Sequence, residues 1–323
     1  MLAIQAVRTG GPEVLEAVDL PIPRAGPGEV LIRHEAVGLN YIDTYFRTGL
    51  YPMNLPAVLG LEGAGVVEAV GEGVTRFAPG DRIAYGNGPA GAYAEYHVVR
   101  ADRAVKVPDG VDARTAAAAM LKGMTAEFLL RRCYPVKAGD WVLVQAAAGG
   151  VGSILVQWAT ALGARVIGTA GSPEKAALAK GYGAVDTILY RDEDVAERVK
   201  AITGGAKVQV VYDGVGAATL TGSLDSLARR GMMVSYGNAS GPAPTLSPSE
   251  LQRRGSLFLT RPTLFDYVTT VEELDGSAGA LFAAIASGAV KIEIGQTFPL
   301  AEARKAHESL EGRETIGSTL LIP

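Results

Sequence analysis

From Trp141 to Ala164 the chain carries no charged residue, although charge is spread evenly on either side. An apolar run of this length invites comparison with a bilayer span, which takes roughly 20 residues as one helix. The pattern inside the run speaks against a span. "WVLVQA" is short, apolar and β-prone, and predicts a buried strand. "AAGGVG" follows with Gly149, Gly150 and Gly152, which signal a tight turn. "GSILVQWATALGA" then places apolar residues at helical spacing and stops at Gly163. Gln145 and Gln157 add polar groups that lipid would penalise.

The same unit recurs downstream. "ARVIGTA" predicts a strand, and "SPEKAALAKGYG" a helix with Ser172 as N-cap and Pro173 in its first position. "VDTILY" is followed by the helical "DVAERVKAITGG", and "VQVVYD" by the helical "GAATLTGSLDSLARRG". "MMVSYGN" and "SLFLTRP" complete six strands. Strands alternating with helices imply right-handed crossovers and a doubly wound parallel sheet. Residues 1–113 read differently, as short strands broken by Gly and Pro ("LAIQAVR", "EVLIRHEAV", "GAGVVEAV", "AEYHVV", "AVKVP"). They predict a mostly antiparallel, barrel-like domain. The segment "VKIEIGQTFPL…GSTLLIP" is strand-like again, with one helix, "AEARKAHESLEG". A final strand needs a sheet, and the first domain is the expected host. The α/β reading is therefore a Rossmann unit, 114–265, inserted into a β domain formed by 1–113 and 266–323, with the active site expected in the cleft between them.

Composition narrows the function without changing this picture. Net charge is -4 and Lys and Arg form no block, so no nucleic-acid partner is expected. A lone cysteine, Cys133, excludes an internal disulfide and fits a cytoplasmic location. No signal peptide or membrane segment is expected.

A charge-free turn between the first strand of such a sheet and its helix suits a dinucleotide. Backbone N–H groups at the helix N-terminus must approach the pyrophosphate, and large side chains would keep it away. Against G-x-G-x-x-G, Ala147 replaces the first glycine while Gly149 and Gly152 stand. Ala148, Gly149, Gly150, Val151 and Gly152 are the candidate phosphate residues. The next strand ends "GTAGSPEK", without the acid that usually binds the ribose hydroxyls of NAD. Gly171 and Ser172 leave room for a 2′-phosphate, Lys175 supplies a cation, and Tyr190-Arg191 ends the following strand. NADPH is the expected cofactor.

"GLNYIDTYFRTGLYP", "LGLEGAGVVEAVG", "LKGMTA", "GDWVLVQAAAGGVG", "VVYDGVG", "SYGNASG" and "LTRP" together resemble the quinone oxidoreductases of the medium-chain dehydrogenase/reductase superfamily, which include zeta-crystallin. The resemblance runs nearly end to end. It implies a GroES-like catalytic domain flanking the Rossmann domain, and a homodimer. The superfamily's alcohol dehydrogenases bind zinc, but here "GLE" stands for "GHE", so Leu61 replaces a ligand histidine. "VGLNYID" has no cysteine, and His34, His97 and His307 lack ligand spacing and read as surface or packing residues. No metal is expected. Reduction of a quinone or conjugated enone tolerates that, because conjugation already makes the carbon electrophilic.

The resemblance assigns Asn40 and Tyr45 to catalysis, with Asn40 also near the cofactor. Asp43 reads as a turn residue rather than a base. Lys122 and Thr125 touch the cofactor where the chain enters the Rossmann domain. Gly214, Tyr236, Asn238, Arg261 and Thr263 lie after later strands, at the carboxyl edge. Gly214 occupies a place where the family pattern allows serine. The function implied is NADPH-dependent quinone reduction. Two alternatives stand beside it: an enoyl-thioester reductase, for which no basic cluster is present, and a non-catalytic crystallin-like or RNA-binding protein. Intact cofactor motifs and the acidic balance argue against the latter.

Overall fold

The alternation of the first hundred residues becomes antiparallel pairing. In the computed structural model, which describes residues 1–323, β1 (Leu2–Ala6), β2 (Leu15–Asp19), β3 (Glu29–Leu39), β4 (Ala57–Val58), β5 (Glu62–Val70), β6 (Arg82–Tyr85), β7 (Tyr96–Arg100) and β8 (Val105–Lys106) follow one another. Helix α1 (Tyr41–Thr48) follows β3, and α2 (Ala113–Phe128) follows β8. The long β3 is the organiser. It pairs antiparallel with β5 and with β7, and turns Val30, Ile32, Val37 and Leu39 into a core shared with Val67, Ile83 and Val99. Each such side chain contributes about 1.5–3 kcal/mol when buried.

The following six strands are β9 (Trp141–Val144), β10 (Arg165–Ala170), β11 (Asp186–Leu189), β12 (Val208–Asp213), β13 (Leu227–Ser235) and β14 (Phe258–Thr260). The helices among them are α3 (Gly150–Ala161), α4 (Pro173–Gly181), α5 (Val195–Ile202), α6 (Leu220–Asp225) and α7 (Pro248–Arg253). All pairings are parallel, in the order β11-β10-β9-β12-β13-β14. This is the doubly wound order, with the strand sequence reversing at β9. One expected helix is shorter than its pattern. "GAATLTGSLDSLARRG" is helical only over α6, because Leu227 is already paired with Val208. Leu, Ala and Arg favour helix, but sheet pairing of a buried Leu227 overrides that preference.

The chain then forms α8 (Val271–Ala286), β15 (Ile294–Pro299), α9 (Ala303–Glu311) and β16 (Ser318–Ile322). Strand β16 pairs antiparallel with β3, Leu320 opposite Gly38, so the late strand completes the early sheet. Helix α8 was not legible in the sequence, where Gly276 and Gly279, both on its exposed side, lower its helix propensity.

Residues 1–124, 267–286 and 292–323 form one compact unit, and residues 125–266 with 287–291 form another. The first junction therefore lies inside α2 rather than at its start, where the sequence suggested. Residues Ala116 to Met120 of α2 are fully buried, so no polarity break marks the crossing. No helix is long and apolar enough to cross a membrane.

Candidate functional site

In the parallel-sheet unit, the loop from β9 to α3 is built to expose backbone. Gly149 is the N-cap, and the first intrahelical bond is Ser153 N–H to Gly149 O at 2.8 Å. The N–H groups of Gly150, Val151 and Gly152 precede it, and these are the donors a helix offers to an anion. A Cβ on Gly152 would lie 2.2 Å from Ala146 O, so this glycine is needed for the close turn. The residue in left-handed conformation is Ala146, at φ 53°. Ala147 stands in place of the first fingerprint glycine without strain of that kind. Its methyl takes the space above Gly168, where a Cβ would come within 2.7 Å of it.

A buried chain of hydrogen bonds holds this loop from below. Ala146 N–H donates to Thr169 Oγ1 (3.1 Å), and Thr169 O–H to Gln145 Oε1 (2.7 Å). Gln145 Nε2 donates to Ser223 Oγ (2.9 Å), and Ser223 O–H to Asp213 Oδ2 (2.7 Å). Asp213 also accepts from Thr219 O–H, Val215 N–H and Gly216 N–H. Sequence reasoning missed all four side chains, since Gln145 registered only as a polar interruption.

At the tip of β10, Gly171 makes room for Tyr190, whose Oη would lie 2.6 Å from a Cβ there. Ser172 caps α4 by accepting from Lys175 N–H at 3.4 Å. The exposed Glu174 carboxyl lies below its usual range, through its own backbone N–H and then the Ser172 hydroxyl. Thus Gly171, Ser172, Lys175 and Tyr190 do come together. At the other side of the sheet, a Cβ on Gly214 would lie 2.8 Å from the Tyr236 ring. The ring occupies the space a serine would need, which accounts for the glycine. With its amide oriented so that both neighbours are satisfied, Asn238 donates to Gly237 O (3.0 Å) and accepts from Arg261 Nη2 (3.3 Å). Thr263 is exposed just beyond, and Thr125 is buried on α2.

In the other unit, Asn40 precedes α1 and is nearly enclosed. Its Nδ2 donates to Glu62 Oε2 at 2.8 Å. Glu62 also accepts from Leu121 N–H and from Lys122 Nζ, both at 2.7 Å. Glu62 fits only because residue 38 is glycine, where a Cβ would lie 2.1 Å from the carboxylate. Lys122 is therefore committed to an ion pair in which both partners are buried. Tyr45 is buried on α1, edge-on to Tyr51 with centroids 5.3 Å apart.

Asp43 is not a turn residue. It lies in the first turn of α1, and its Oδ2 accepts Asn40 N–H at 2.9 Å and Tyr93 O–H at 3.0 Å. The spacing Asn40-x-x-Asp43 resembles a capping box, the one signal that could have found it. Burial pushes its carboxyl up to about 7, against the lowering effects of Asn40 N–H, Tyr93 and Lys122. Of the two readings of the histidines, packing is the one His34 and His307 take, both being buried. His34 contacts Ala94 O (2.7 Å) and Tyr85 Oη (2.8 Å). His307 contacts Tyr93 Oη and Arg47 Nη1, each at 3.0 Å.

Comparison with known proteins gives matches in both units. Residues 26–109 match the alcohol dehydrogenase GroES-like domain, and residues 150–273 the zinc-binding dehydrogenase family. The donor set does not fit zinc: Leu61 is a buried hydrocarbon at the histidine position, and nowhere do three His, Cys, Asp or Glu side chains converge to hold an ion. The chain is 53% identical over 321 residues to a quinone oxidoreductase of Pseudomonas aeruginosa, covering 99% of each. It is 45% identical to a 2-haloacrylate reductase of a Burkholderia species, covering 98% of this chain and 97% of the relative. The crystal structure of Escherichia coli quinone oxidoreductase complexed with NADPH superposes with a TM-score of 0.98 at 48% identity, covering 100% of both chains.

Proposed function

The chain belongs to the quinone oxidoreductase family of the medium-chain dehydrogenases/reductases, and on that premise we propose that it is an NADPH-dependent quinone reductase that works without a metal. The observation that carries the reading is the pairing of a bare phosphate loop with an acid-free β10 tip. Gly150, Val151 and Gly152 offer N–H donors to the pyrophosphate, while Gly171, Ser172, Lys175 and Tyr190 receive the 2′-phosphate. Gly214, Tyr236, Asn238, Arg261 and Thr263 bind the rest of the cofactor, as does Thr125, while Lys122 stays in its buried ion pair with Glu62 rather than on the cofactor as the resemblance implied. When bound, NADPH would supply the reducing equivalents from its nicotinamide, and these residues would hold it.

The chain's own groups orient that acceptor. A carboxylate can only accept, so Glu62 fixes which end of the Asn40 amide is nitrogen. Oδ1 then faces the Asp43 N–H of the capping box, and its second lone pair is the one left for a ligand N–H. The Tyr45 hydroxyl stabilises negative charge developing on a carbonyl oxygen. A second substrate class has one specific support, the relative named 2-haloacrylate reductase, whose name describes reduction of a conjugated alkene.

The exposed Phe258 and Leu259 lie on β14, the open edge of the parallel sheet. An unpaired apolar edge strand favours pairing with a second copy, and we assign the protein as a cytoplasmic homodimer. The decisive measurement is NADPH consumption with 1,4-benzoquinones, naphthoquinones and short enals, with NADH as control. Lys175→Ala should raise the KM for NADPH about tenfold and leave that for NADH nearly unchanged. Preference for NADH by the unaltered protein would overturn the 2′-phosphate assignment.

A further inference from the structure

We infer that Arg47, His307 and Tyr93 are positioning residues for Asn40, acting through Asp43 by a hydrogen-bond chain that can run in only one direction. The inference rests on the role given to Asn40 above. A guanidinium has donors and no acceptor. The 3.0 Å contact from Arg47 Nη1 therefore makes His307 Nδ1 the acceptor. A neutral imidazole with a bare Nδ1 carries its proton on Nε2. Burial keeps His307 neutral, pushing its pKa down to about 3, with Arg47 adding to the effect. His307 Nε2–H then donates to Tyr93 Oη at 3.0 Å, and the single phenolic proton is left for Asp43 Oδ2. Asn40 N–H reaches the same oxygen. Every proton in the chain points at one carboxylate oxygen.

The far end is anchored. Arg47 makes two bonds to Glu311, at 2.7 and 2.9 Å, and one from Nε to Gly10 O. Arg47 is wholly buried, whereas Glu311 reaches solvent. The near end is incomplete, because Asp43 Oδ1 is buried with no partner. Charge on Asp43 therefore depends on few groups. Tyr93 and the Asn40 N–H favour it, Lys122 on α2 favours it, and Glu62 on β5 opposes it. The carboxylate's grip on the Asn40 backbone thus depends on the Tyr93 hydroxyl, and on the residues that orient that hydroxyl.

The test is Tyr93→Phe, which keeps the ring and removes the hydroxyl. In the unaltered protein kcat for quinone reduction should rise with pH along a limb that reports Asp43. In Tyr93→Phe that limb should move to higher pH by about one unit, lowering kcat at pH 6.5 by roughly fivefold to tenfold. The Kd for NADPH, read by fluorescence, should not change. The infrared carbonyl band of protonated Asp43, identified by its loss in Asp43→Asn, should titrate in step with kcat. His307→Leu should reproduce Tyr93→Phe, while His307→Gln, which keeps a donor toward Tyr93, should stay near the unaltered profile. An infrared band that does not move in Tyr93→Phe overturns the chain. A band that moves while kcat does not overturns its role in positioning. Asn40→Ala with undiminished kcat would instead defeat the assignment of Asn40 itself.

Discussion

Each unit contains a buried chain of hydrogen bonds that ends on an aspartate, and the two aspartates are finished differently. Asp213 accepts from two hydroxyls and two backbone N–H groups, using both oxygens. Asp43 accepts two bonds on one oxygen and leaves the other buried without a partner. A saturated carboxylate in a dry interior behaves as part of the scaffold, since each of its donors would be stranded by its loss. An unsaturated one is held less firmly in its charged form. The first sits beneath a loop suited to a phosphate, which needs a fixed backbone. The second sits beside the proposed catalytic amide.

Four substitutions or conditions would break or sharpen this contrast. Asp213→Ala strands four donors in a fully buried position and should cost about 4 kcal/mol or more of stability in urea unfolding. A loss below about 1 kcal/mol would show that the network is not structural. Arg47→Met removes a buried cation from Glu311 and His307 and should cost about 2–3 kcal/mol, because Glu311 can turn to solvent. Thr169→Val removes the hydroxyl that links Ala146 to Gln145, and should cost about 1–2 kcal/mol and weaken NADPH binding several-fold by fluorescence titration. Thr169→Ser should restore both, and failure to do so would deny the hydroxyl its role.

The smallest effect is the pH dependence of stability. The three histidines are lowered by burial, His34 and His307 to about 3 and His97 to about 4. Their unfolded forms bind protons first, so stability is lost as pH falls from about 6.5 toward 4. Asp43 acts with the opposite sign. Raised by burial to about 7, it contributes stability at low pH that disappears as pH rises through 7. Asp43→Asn should therefore make the acid-side fall in the urea midpoint steeper between pH 7 and 5. An unchanged slope would remove Asp43 as a titrating group.

The doubly wound sheet was legible because each of its strands is a local apolar run and each crossover a local helix. The glycine turn between β9 and α3 and the acid-free β10 tip were legible for the same reason. What escaped was non-local. His307 meets residues 214 and 260 positions away, and no spacing rule links it to Tyr93 or Arg47. Glu62 lay inside a motif noticed only for the leucine beside it. The α6–β13 boundary was misplaced because Leu-Ala-Arg-Arg favours helix until a neighbouring strand claims it. Ala146, not Ala147, carries the left-handed turn, a conformation no apolar triplet announces.

Strand β16 gives the early sheet its neighbour at β3 only after residues 318–322 exist. During synthesis, then, β3 must wait for a strand that follows it far along the chain. The inserted parallel sheet, with its strands all contained in residues 141–260, can close while the ribosome is still working. Until then only the Val37–Leu39 end of β3, beyond the reach of β7, lacks its neighbour, and that short edge is where the nascent sheet is open to mispairing.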